Sequence, residues 1–120
     1  MSNRVTHFEI PSDDPEANMK FFSDVFGWTF YQDGDRPYWF AISGDESTPG
    51  INGAIMKKRE AGQPLVNSIE VDDIDKTAEA INNSGGRVVI PKWEIPGYGY
   101  IAFFADPDGN MHGIAQPNKK

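Results

Sequence analysis

The stretch RVTHFEIPSDDPEANMKFFSDVFG, residues 4–27, decides the fold because two hydrophobic periods meet within it. From Arg4 to Ile10 the pattern has a period of two. Thr6, Phe8 and Ile10 fall on one side and Val5, His7 and Glu9 on the other, which predicts a strand. Pro11-Ser12-Asp13-Asp14-Pro15 ends that strand. Asp14 supplies an N-cap oxygen and Pro15 suits the first helical turn. Met19, Phe22 and Phe26 then recur at spacings of three and four, one apolar helix face, and Gly27 is the stop. Strand, cap, helix and glycine follow one another within 24 residues.

Beyond Gly27 come three more strands. They are predicted over Trp28–Tyr31, Pro37–Ile42 and Ile51–Met56, with a turn-prone loop from Gly44 to Gly50 before the last. Gly62-Gln63-Pro64 reads as a linker, and after it the order starts again. Leu65–Val71 alternates, Asp72-Asp73 caps a helix with Ile74, Ala78 and Ile81 on its apolar face, and Asn83-Ser84-Gly85-Gly86 stops it. Strands follow at Arg87–Ile90, Tyr98–Ala105 and Asn110–Ala115, the last two joined by the turn Asp106-Pro107-Asp108-Gly109. Phe8-Glu9-Ile10 corresponds to Ile69-Glu70-Val71, Asp14 to Asp73, Gly27 to Gly86 and Gly53 to Gly113. The expected architecture is α+β: one domain of two tandem βαβββ modules, about residues 1–60 and 63–120.

The 120 residues suit one domain with a real core. A formal net charge of −7 argues against nucleic acid and anionic membranes as partners. With no cysteine there is no disulfide, zinc thiolate or cysteine nucleophile. No signal peptide or apolar membrane span is read, so a cytoplasmic protein is expected.

Four segments carry a resemblance to a family. They are Thr6–Pro11 with Asp13-Asp14-Pro15-Glu16-Ala17, Phe21–Trp28, Val71–Asp75 and Phe104–Asn110. Through them the chain resembles the vicinal oxygen chelate superfamily of glyoxalase I, extradiol dioxygenases, fosfomycin-resistance and bleomycin-binding proteins. The resemblance implies two βαβββ modules forming a curved, half-open mixed-sheet barrel with helices outside. It also implies a small-molecule pocket, homodimers, and in many relatives a divalent metal.

The metal pattern is thin here. The ligand position in the first strand maps to His7, or to Val5 if Pro11-Ser12 holds an insertion. Its counterpart in the second module is Val66 or Ser68. The glutamate of metal-binding relatives maps to Gly113, with a partner near Gly53 or at Met56, and His112 is out of phase by one. No metal site is therefore expected. If one exists, it is a divalent ion at His7 with Glu9 or Glu70.

The expected function is metal-independent binding or sequestration of a small apolar or aromatic ligand. Its contacts are His7, Glu9, Trp39, Glu70, Trp93, Tyr100 and Phe103, and His7 is the candidate general base. The loop Lys92–Gly99 is the expected lid or pocket rim. The alternatives are a metal-dependent lyase or dioxygenase using His7 with Glu9 or Glu70, and a dimeric interaction module without chemistry.

Overall fold

The computed structural model describes residues 3–119. Asp14 opens the first helix as its sequence requires: its Oδ1 accepts from the Ala17 N–H at 3.2 Å, capping α1 (Pro15–Phe26). Gly27 closes it in the left-handed region at φ 75°, donating its N–H to Ser23 O. The helix follows β1 (Arg4–Ser12) and precedes β2 (Thr29–Gln32), β3 (Tyr38–Ile42) and β4 (Gly53–Lys57). The strand order is β2-β3-β4-β1, with β4 parallel to β1 and the other pairs antiparallel.

The second module repeats this plan. β5 (Val66–Glu70) leads to α2 (Ile74–Asn83), then β6 (Arg87–Ile95), β7 (Gly99–Ala105) and β8 (Met111–Pro117). The order is β5-β8-β7-β6, with β8 parallel to β5. Asp73 caps α2 through Lys76 N–H at 3.0 Å, the counterpart of Asp14. The chain thus has the α+β architecture of two βαβββ modules. It divides into two compact units: residues 7–65, and residues 66–119 together with 3–6.

In each unit the helix covers one sheet face. α1 places Phe22 on Trp28 with ring centroids 4.7 Å apart, and Trp28 lies 5.7 Å from Phe8. Phe8 and Ile10 therefore face the helix, while His7 and Glu9 face away. In the second module Ile74 of α2 packs with Val71, Ala102 and Ile114, and Ile81, Tyr100 and Phe104 close around them. Burying Ile74 and Ile114 almost completely stabilises the fold by roughly 2–3 kcal/mol each.

Several boundaries differ from the sequence reading. β1 runs through Pro11 to Ser12. β6 continues through Pro91 to Ile95, so most of Lys92–Gly99 is strand rather than loop, and only Pro96-Gly97-Tyr98 turns. Two register shifts, between Val88 and Ile90 and between Ile90 and Trp93, absorb Pro91. β6 ends the strand order of its unit, where a missing N–H breaks no ladder. The left-handed glycine after α2 is Gly85, at φ 97°, rather than Gly86. Gly53 and Gly113 are not equivalent. Gly53 stands against Phe8 on the helix side, and Gly113 pairs with Ser68 on the open side. No helix among the described residues is long and apolar enough to cross a membrane.

Candidate functional site

On the open face of the first module, partners across the strands share a side. Glu9 pairs with Ala54, which pairs with Phe40, which pairs with Tyr31. One step along, Pro11, Met56 and Tyr38 form the next row. The turn before β3 fixes Tyr38. Asp33 N–H donates to Tyr38 O, and Gln32 Nε2 donates to Arg36 O.

The Tyr38 hydroxyl reaches between two ionisable groups of β1. It donates to Glu9 Oε2 at 2.6 Å, and His7 Nε2 lies 2.9 Å from the Tyr38 hydroxyl oxygen. His7 and Glu9 are themselves 4.0 Å apart, with side chains 29% and 22% exposed. The single phenolic proton is committed to the carboxylate, so Nε2 of His7 must carry the hydrogen it shares with Tyr38. Neutral His7 then has an unprotonated Nδ1, which has no partner among the described residues. Burial holds the His7 pKa below its ordinary value, and the charge of Glu9 offsets only part of that. Burial, then the charge and hydrogen bond of Glu9, push the Tyr38 hydroxyl far above its ordinary range, so it remains a donor. The chemistry available is an acceptor nitrogen backed by a phenol and a carboxylate. Beside it run the rings of Phe40, 5.3 Å from Tyr38, and Tyr31, 5.1 Å from Phe40.

The residues singled out in the sequence sort cleanly by face. His7 and Glu9 meet. Trp39 does not join them: it pairs with Ile55, whose β1 partner is Ile10, on the α1 side. In the second module Glu70, Trp93 and Phe103 share the open face, with Trp93 and Phe103 rings 5.8 Å apart. Tyr100 stands on the α2 side against the core, under the Lys92 ammonium at 4.7 Å. Burial and the nearby Glu70 charge raise the Tyr98 hydroxyl, so the second module also sets a tyrosine near its glutamate.

Tyr38, Phe40 and Tyr31 are what sequence reasoning missed. Strand alternation sets Tyr38 and Phe40 opposite Trp39, but it does not say which set faces the helix. Two concavities open elsewhere. One of about 330 Å³ is walled by the Ser43–Asn52 loop, and one of about 230 Å³ lies beside α2. Neither is lined by a residue proposed from sequence as a ligand contact.

The donor set does not suit a divalent metal centre. The first module offers His7 and Glu9, and Glu9 already accepts from Tyr38. Such a centre usually draws on three protein ligands, and no group of three or more His, Cys, Asp or Glu is so placed among the described residues. At Gly113 a Cβ would meet Ser68 Oγ at 2.8 Å, so a side chain there requires that hydroxyl to move.

Comparison with known proteins agrees with the fold. The chain is 30% identical over 117 residues to "Putative glyoxylase CFP32" of Mycobacterium bovis, covering 92% of this chain but 44% of that protein. It therefore spans less than half the length of that relative. It is also 30% identical over 132 residues to "Probable lactoylglutathione lyase" of Vibrio parahaemolyticus, with 97% and 93% of the two chains covered. The crystal structure of methylmalonyl-CoA epimerase from Mycobacterium tuberculosis superposes with a TM-score of 0.67 at 15% identity, covering 96% of this chain and 88% of that one. That likeness shows the fold alone. The family model matches residues 4–114, and the chain belongs to the Glyoxalase/Bleomycin resistance protein/Dioxygenase superfamily.

Proposed function

We propose that the open face of the first module binds a small molecule without a metal, placing a polar donor group at His7 and an apolar or aromatic body against Phe40 and Tyr31. The observation that carries this reading is the shared Tyr38 hydroxyl. It fixes the His7 tautomer and leaves Nδ1 free to accept a proton or hydrogen bond from a ligand. Glu9 stabilises positive charge gained by His7 during such a transfer, as a carboxylate behind an imidazole does in general acid–base sites. Rings beside a polar anchor are the common composition of small-molecule sites.

The test is a titration of chelator-treated protein with a panel of small phenols and aromatic amides, followed by ¹H–¹⁵N spectra. The expected result is saturable shifts at His7, Tyr38 and Phe40, weakened by at least roughly tenfold in His7→Ala. Shifts that appear only after a divalent metal is restored would overturn the metal-free reading.

The similarity to lactoylglutathione lyases favours a second reading, a metal-dependent lyase using His7 with Glu9. Stoichiometric nickel or zinc in the purified protein, lost in His7→Ala, would establish it over the first. A metal-free preparation that binds no added metal would exclude it.

A further inference from the structure

The groove beside α2 lies in the second module and has a traceable origin. Ala78 on α2 and Ala102 on β7 both border it, so the helix and sheet meet there over two methyl groups. β6 does not fill the gap, because its two register shifts fall on either side of Ile90, next to Pro91, which also lines the groove. Ile74 and Ala102, 1% and 2% exposed, give it an apolar floor.

Its rim is polar in a specific way. At one end Lys92 Nζ pairs with Asp75 Oδ2 at 2.9 Å, so the ammonium on the rim is already matched by a carboxylate. At the other, Asn82 Oδ1 accepts from Val88 N–H at 3.0 Å. That bond orients the amide and leaves both Nδ2 hydrogens without a protein acceptor among the described residues. The volume of about 230 Å³ exceeds the roughly 150 Å³ of an apolar cavity that holds benzene.

We infer that this groove is a second binding site, for a neutral single-ring aromatic molecule bearing an acceptor oxygen, with the ring over Ala78 and Ala102 and the oxygen at Asn82 Nδ2. A charged ligand would have to break the Lys92–Asp75 pair or leave its charge unmatched, which selects for neutrality.

The experiment uses acetophenone, with ethylbenzene as the same body lacking the oxygen, followed by ¹H–¹⁵N spectra of the whole chain. Acetophenone is expected to give saturable shifts at Ala78, Asn82, Val88 and Ala102, and ethylbenzene weaker ones at the same amides. Ala78→Leu fills the groove and is expected to abolish both sets. Ala78→Val serves the same purpose if the leucine variant does not fold. Asn82→Asp keeps the acceptor for Val88 and removes the donors, so it should weaken acetophenone by roughly tenfold and leave ethylbenzene unchanged. Absence of saturable shifts, or shifts indifferent to filling at Ala78, would overturn the site. Acetophenone binding indifferent to Asn82→Asp would overturn its assigned chemistry.

Discussion

His7 shows how much one hydroxyl can decide. Without Tyr38, a histidine two residues from a glutamate would be expected to draw its proton toward the carboxylate and rise in pKa. With Tyr38 between them, the carboxylate is satisfied by a phenol and burial dominates, so the imidazole stays neutral. The sign of the pH dependence follows. The folded pKa lies below the ordinary value of 6.5, so the unfolded chain takes up the proton first on acidification. The stabilisation tied to neutral His7 is complete above that value and declines as pH falls below it. Denaturation midpoints measured at about pH 7.5 and about 5.5 should therefore drop more in the parent protein than in His7→Gln. Tyr38→Phe removes the donor from a partly buried carboxylate and should cost about 1–2 kcal/mol in the same assay. In that variant the His7 pKa, followed by NMR, should rise.

Among the elements, the two caps were fully legible, and an aspartate followed by an apolar helical period needs nothing else. Asp14→Ala and Asp73→Ala are each expected to cost about 1 kcal/mol in urea denaturation. The turn between β7 and β8 is built around Asp106. Its carboxylate accepts from His112 Nε2 at 2.9 Å, from the N–H groups of Asp108 and Asn110, and from Asn110 Nδ2. The His112 hydrogen bond, then the Asn110 N–H, hold the Asp106 pKa at about 2. Its contribution is present above the ordinary carboxylate value and is lost as pH falls through about 2. An acid titration of stability should show this loss in the parent protein and a flatter profile in Asp106→Asn. β6 was less legible. Pro91 reads as a strand terminator unless the strand is known to lie at the end of its sheet, and position in a sheet is a non-local fact.

Across the whole molecule, the repeated βαβββ plan was readable because each module restates it in period, cap and turn. Face assignment was not readable to the same degree. Alternation alone does not say which side of a strand faces the helix, and Trp39 and Tyr100 stand on the helix side. Gly53 and Gly113 occupy similar places in the chain and opposite faces in the fold. The consequence is measurable, because a Cβ at Gly53 would lie 2.5 Å from the Phe8 backbone oxygen and ring. Gly53→Ala should cost about 3 kcal/mol. Gly113→Ala meets only the movable Ser68 hydroxyl within 3 Å and should cost less, as paired thermal denaturation would report.

The His7–Tyr38–Glu9 arrangement is the centre of this account of the open face. Its most direct test is a long-range ¹H–¹⁵N correlation spectrum of the His7 ring in chelator-treated protein at neutral pH. An unprotonated Nδ1 with the hydrogen on Nε2 is the predicted result. A hydrogen on Nδ1, or a doubly protonated ring, would contradict it.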